Sequence, residues 1–470
     1  MKKRDKRWIG LILLALAVGI LTACKDAGGE KDPEVTTLVY AVLSEDGVYR
    51  SAVERFNRTH GQEGIFIEIQ EYFDEDGRSG RDRLLTEMAS GKIPDIIDLG
   101  SSEYGLSYLQ LVRQGYLEDL WPYINNDPKL NDGQLWEAPL KAAEVNGGLY
   151  TVFSEVRINT LVGRESIVGD RYSWNLAELQ EAFASMPDES TVLEYYRTKS
   201  EMFPYVFQLS LDSYLDWETG EDTFDSDNFR AALEFVNSFP DSFPSLDFEG
   251  GRAKALLETG DRVREGRQML SMHTINAPSY IQALDKAYAR GEKVAFVGYP
   301  TEDGSVGSIF TIQGRKLAMS STCQDKAAAW EYLRQELLPR VSNKEAAYQL
   351  QEIPINRADF DAVMEVYRNM PDWFAGCYYD FFGDRSDYDP YTFIFEPGKL
   401  SGIKVRSIGT NQANRFRDFI NQVDKIDLYD TDLYDIVYEA CGPYLAGDRS
   451  MDETIQLIRD KVRIYWNENH

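Results

Sequence analysis

From Thr37 to Leu99 short apolar runs alternate with helix-periodic stretches, and this alternation limits the fold more than any other feature. Thr37 to Leu43 is a strand-length apolar run, closed by the turn Ser44-Glu45-Asp46-Gly47. Tyr49 to Asn57 places Val53 and Phe56 on one helical face. Ile65 to Ile69 alternates as a second strand. Arg83 to Ser90 reads as a helix stopped by Gly91, and Pro94 to Leu99 as a third strand. Strands and helices in this order predict an α/β fold with a mostly parallel sheet flanked by helices. The alternation resumes downstream. Helices are predicted over Trp174 to Met186, capped from Ser173 or Asn175, and over Asp225 to Phe239, with Phe229, Leu233 and Phe235-Val236 as its apolar stripe. Arg267 to Asn276 and Lys293 to Gly298 read as strands, Ala327 to Leu338 and Asp452 to Asn467 as helices. No period of a solenoid or propeller recurs. The aromatic, acidic stretch from Gly376 to Pro397 reads as an inserted excursion.

The first residues carry a different message. Lys2, Lys3, Arg4, Lys6 and Arg7 precede an uncharged run from Trp8 to Leu21, which is short for a membrane-spanning helix. With Leu21-Thr22-Ala23-Cys24 it resembles a bacterial lipoprotein signal, cleaved before Cys24 and acylated on that cysteine. The expected product is extracytoplasmic and lipid-anchored to the cell membrane, with residues 24–36 as a tether. The 470 residues exceed one ordinary core, so two domains are expected. Removing five Lys/Arg and Asp5 with the signal takes the formal charge from −28 to about −32. So acidic a chain is a poor partner for nucleic acid and gains nothing from anionic lipid, which leaves anchoring to the acyl group.

Cys323, Cys377 and Cys441 lack metal-ligand spacing, and whether any two pair is open. The only histidines are His60, His273 and His470, with no HExxH, so no metal is expected, and satisfied structural roles suit His60 and His273. Asp74-Glu75-Asp76-Gly77 and the run from Asp384 to Asp389 do not fit the EF-hand spacing. No glycine-rich phosphate loop follows a strand, so no nucleotide cofactor is expected.

Several short segments, in order, carry a family resemblance. They are Tyr49 to Phe56, Lys92 to Asp98, Gly115 to Leu120, Asn146 to Tyr150, Ser173 to Leu179, Phe224-Asp225-Ser226, Ala327 to Leu333, Gly447 to Glu453 and Ile458 to Tyr465. This order and spacing is similar to the extracellular solute-binding proteins (family 1) of sugar ABC importers, the maltose-binding type. The resemblance implies a two-lobed, periplasmic-binding-protein-like fold of type II, each lobe a mostly parallel sheet flanked by helices, joined by hinge crossings. The implied lobes are residues 37–152 with 306–354, and 153–305 with 355–470. It further implies a monomer that captures a mono- or oligosaccharide between the lobes and delivers it to the transmembrane subunits of an ABC permease, without catalysis.

A sugar offers hydroxyls and an apolar ring face, so contacts should combine aromatic rings with bidentate polar groups. The resemblance points to Glu45 and Asp46 after the first strand, to Ser101, Ser102 and Tyr104 after the third, and to Arg157 just past the first crossing. It adds Asn276 and Tyr280 after a second-lobe strand, and Tyr434. An acidic family contact replaced by Arg157 hints at an anionic ligand or at a structural ion pair. Trp217 and Trp373 enter as tryptophans in acidic turns, where a packing role competes with ligand contact. Rival functions are a secreted glycosidase, whose carboxylate pair no segment marks among 78 acidic residues, and a peptide-binding or sensor-linked protein on the same scaffold.

Overall fold

The computed structural model describes residues 35–43, 48–73, 78–100, 105–130, 133–194, 197–207, 211–217, 219–242, 262–263, 265–276, 293–301, 305–350, 352–369, 409–428 and 430–468. The signal segment, Cys24, Cys377 and the 376–397 stretch lie outside them.

The first sheet is built from β1 (Thr36–Val42), β2 (Ile65–Glu71) and β3 (Ile96–Asp98), the three predicted strands. β1 pairs in parallel with both β2 and β3. A hairpin, β4 (Glu144–Val145) and β5 (Gly148–Leu149), follows later in the chain. The second sheet comprises β6 (Glu155–Arg164), β7 (Leu270–Ile275), β8 (Val294–Phe296), β9 (Ile309–Gln313), β11 (Ile353–Pro354) and β12 (Lys425–Ile426). β10 (Leu317–Met319) returns to the first sheet, antiparallel to β3. The order there is β10-β3-β1-β2, mostly parallel as predicted.

The second sheet departs from the expected parallel ladders. β6 pairs antiparallel with β7, β8, β9 and β11, and β12 pairs parallel with β9. The five strands besides β6 therefore run one way and β6 alone runs against them. The register puts β11 and then β7 along one edge of β6, and β9 and then β8 along the other. β6 is a strand the sequence reading did not single out. Its even residues Val156, Ile158 and Val162 enter one core, while Leu161 enters another.

The chain passes from the first sheet to the second at Phe153-Ser154, just after Val152 bridges to Leu317, and back at Gly314 to Lys316, between β9 and β10. After β11, Asn356 bridges to Leu135. One core underlies the first sheet and continues beneath the crossings, with Tyr40, Leu84, Trp136 and Phe153 among its buried side chains. The other is formed by Trp174, Phe203, Phe207, Phe229 and Ile458.

Local chemistry sets the helix boundaries. The helix Leu176–Ala184 starts at Asn175, whose side chain accepts from the Glu178 amide while the Glu178 carboxylate accepts from the Asn175 amide, each at 2.9 Å. This selects Asn175 over Ser173 as the cap. In Asp227–Asn237 the buried stripe is Phe229, Leu233 and Val236, with Phe235 half-buried at its edge. Gly307 is required by close approach, since a Cβ there would lie 1.8 Å from the Tyr299 carbonyl oxygen.

Candidate functional site: the junction between the lobes

The codirectional strands of both sheets point their carboxyl ends at the crossings, where open α/β sheets bind ligands. β1 and β3 lead there to Leu43 and Gly100, β7 to Asn276, and β12 to Asp427 and Asp430. At this end a side chain rooted in the first core meets side chains rooted in the second.

Arg113 closes the helix Tyr108–Arg113, whose Tyr108 and Leu111 are buried in the first core. Its guanidinium lies 3.5 Å from the centroid of the Trp217 ring and 3.7 Å from an Asp430 oxygen. Trp217 packs on the second core. It is held by the acidic turn read from the sequence: the Gly220 amide donates to the Asp216 carbonyl and the Thr219 amide to the Asp216 carboxylate. Gly220 has φ +74°, and a Cβ there would meet the Trp466 ring at 2.8 Å. The Trp466 indole in turn donates to the Trp217 carbonyl at 3.1 Å.

Asp430 caps the helix Thr431–Leu445, accepting from the Leu433 amide at 3.0 Å, and the Tyr465 hydroxyl donates to its two oxygens at 2.9 and 3.0 Å. Its side chain is fully buried. Burial raises the Asp430 carboxyl above the usual range, opposed by the Leu433 amide, the Tyr465 hydroxyl and Arg113. Burial, and then Asp430, push the Tyr465 phenol well above its ordinary value. The Tyr465 ring meets Trp217 edge-on at 6.3 Å. Arg113, Trp217, Asp430 and Tyr465 thus form one clasp between the lobes.

A polar strip lies beside the crossings. Glu155, Arg157 and Asn159 share one face of β6 by its two-residue period. Asn159 donates to the Thr311 hydroxyl at 2.9 Å and accepts from Thr274 at 2.8 Å, which joins β9, β6 and β7. Arg157 binds both oxygens of Glu352, with Nε at 2.5 Å. This is the structural ion pair of the two roles open from sequence. Glu155 pairs with Arg340 at 2.6 Å. Asn276 is buried and lies one residue beyond the Ile275–Ile158 pair, at the carboxyl end of β7.

Of the residues expected to touch ligand, Arg157 and Asn276 both lie at the carboxyl end of the second sheet. Trp217 is in the clasp, one face covered by Arg113. Tyr434 stands one turn into the helix capped by Asp430, against Phe203 and Tyr438. Glu45, Asp46, Ser101, Ser102, Tyr104, Tyr280 and Trp373 lie outside the described residues. Sequence reasoning missed Arg113, Asp430 and Tyr465. Asp430 carries a helix-cap signal before Leu433, but nothing local marks the other two. Among the described residues no group of His, Cys, Asp and Glu is placed to hold a metal ion. Cys323 and Cys441 are buried free thiols, each pushed up to about 12 by burial.

No protein-family profile matches the chain, and no curated protein matches it. Solved structures do. The sugar-binding protein MalE from Xanthomonas citri is 16% identical, with 92% of this chain and 98% of that one covered at a TM-score of 0.53. An extracellular solute-binding protein of family 1 from Alicyclobacillus acidocaldarius is 15% identical, covering 93% of this chain and 100% of its own at 0.47. An oligogalacturonide-binding protein from Yersinia enterocolitica is 14% identical, covering 92% and 100% at 0.49. The chain has the two-lobed, periplasmic-binding-protein-like fold that the Xanthomonas citri sugar-binding protein also has.

Proposed function

We propose that this chain is the extracytoplasmic solute-binding component of an ABC importer. It captures a carbohydrate between its lobes and passes it to a membrane permease without chemical change. The observation that carries the reading is the clasp, where charged and aromatic side chains of the two lobes meet at the strand ends that receive ligands in such sheets. A ligand gripped by both lobes favours their closed arrangement through its differential affinity for the two states. Aromatic rings beside Asn, Asp and Arg suit a sugar's apolar face and paired hydroxyls. We keep the expected lobes, residues 37–152 with 306–354 and 153–305 with 355–470, but move the return crossing from 305/306 to Gly314–Lys316 because β9 pairs with β6 in the second sheet, and we assign the ligand contacts to the loops that leave β1, β3 and β7. The Cys24 lipid anchors a monomer outside the cell membrane. No helix among the described residues is long and apolar enough to cross one.

Thermal-shift screening of the mature protein against mono- and oligosaccharides, with product analysis of each mixture, tests the reading. A rise in melting temperature with the sugar recovered intact supports it. Release of a cleaved product makes the protein a glycosidase, and a shift with peptides alone makes it a peptide binder.

A further inference from the structure

Lys316 lies on the return crossing, between β9 and β10, and is only 8% exposed. Its carbonyl accepts from the Leu99 amide at 2.9 Å, which fastens the crossing to the chain leaving β3. Two carboxylates face its ammonium, Asp427 from the second lobe and Asp98 from the first. Neither bonds it. Among the described residues no hydrogen bond and no ion pair reaches the Lys316 ammonium. A buried cation without a hydrogen bond is costly, and native folds leave few such groups without a use.

The two carboxylates differ in what they have left to offer. Asp98 is buried, and its oxygens accept from the Tyr40 hydroxyl at 3.2 Å and the Gly100 amide at 3.1 Å. Asp427, half-buried just after β12, accepts from the Ile312 amide at 2.9 Å through one oxygen. Its second oxygen accepts from no other residue among the described ones. A donor and an acceptor, both unspent, therefore face each other at the strand ends of the two lobes. A hydroxyl can accept from the first and donate to the second at once. An ionised acid has no proton to donate and would set a second negative charge beside Asp427. No neighbouring cation is left to answer that charge. Arg113, Arg157 and Arg340 are paired as described above, and Arg315, next to Lys316, is paired with Glu336.

We propose that Lys316 and Asp427 clamp one hydroxyl of the ligand at the crossing between the lobes, and that this pair selects an uncharged sugar against the matching acid. This rests on the carbohydrate-binding reading above. Titration calorimetry at pH 8, well above the Asp427 titration at about 6, tests it. The probes are glucose, galactose, mannose and their linear oligomers, each beside the matching uronic acid. In the series that binds, the mature wild type should hold the neutral sugar at least about 10-fold more tightly than the acid. Lys316→Met should weaken the neutral sugar roughly 10- to 100-fold, the size of a charged hydrogen bond. Asp427→Asn should narrow the gap between neutral sugar and acid, because the like charge is gone; a merely structural defect would weaken both alike. An acid that binds the wild type as well as its neutral counterpart, full affinity in Lys316→Met, or an unchanged gap in Asp427→Asn would overturn the clamp and leave the sugar site standing. A wild type that binds no sugar of either kind would overturn the carbohydrate reading itself.

Discussion

Replacing Arg113 with alanine removes the side chain by which the first lobe reaches the second at the clasp. Two terms are lost. Stacking of the guanidinium on Trp217 at 3.5 Å is worth about 0.5–2 kcal/mol. The charge pair with Asp430, at 3.7 Å and with Arg113 partly open to water, adds about 0.5–1 kcal/mol. Asp430 keeps the Leu433 amide and the Tyr465 hydroxyl, so the variant leaves no bare buried carboxylate. The expected change in the balance between apposed and separated lobes is roughly 1–3 kcal/mol, or about 5- to 150-fold. Small-angle scattering of the ligand-free protein reads it directly, as a larger radius of gyration for Arg113→Ala than for wild type. Arg113→Lys should fall between, since an ammonium keeps the charge and loses the planar stack. An unchanged radius in Arg113→Ala, together with no coupling to Trp217→Ala in a double-mutant cycle, would refute the clasp.

Other expectations follow from single contacts. Arg157→Ala strands the partly buried Glu352 carboxylate and should lower unfolding stability by about 1–3 kcal/mol in urea titrations, whereas Arg157→Met with Glu352→Leu should lose far less; equal losses would remove the ion-pair account. Burial raises Asp427 from 3.8 to about 6, so the native state holds a proton the unfolded chain has released. Stability should therefore rise by roughly 1–3 kcal/mol as pH falls from about 6 towards 4, and Asp427→Asn should flatten that rise; parallel pH profiles would contradict the assignment. Cys323 and Cys441 should stay unreactive towards a thiol reagent at pH 8 in the native protein with Cys24 and Cys377 replaced by serine, and react fully in denaturant; rapid native labelling would show that either thiol is accessible.

Much of the architecture is written in local patterns. Strands β1, β2 and β3 and the helices at 176–184, 227–237 and 451–468 follow from apolar period and capping chemistry, which act over a few residues and so survive in one dimension. The acidic turn at Asp216 to Gly220 was readable for the same reason, with Trp217 marked inside it. β6 was not, because its face changes from polar at Glu155, Arg157 and Asn159 to apolar at Leu161 halfway along, and neither strand template fits such a switch. The role of Arg157 stayed open until Glu352, 195 residues away, closed on it. Arg113 and Tyr465 were invisible for a related reason. Each looks like an ordinary helical surface residue until folding brings the first lobe to Asp430, and a contact between distant segments leaves no period or spacing in either. Sequence alone thus settled β1 to β3, the core of β7 and β8 and the helices named above, since those choices depend on neighbours in the chain. Which charged and aromatic side chains face one another across the lobes was decided only by tertiary packing, because burial and proximity are properties of the assembled fold.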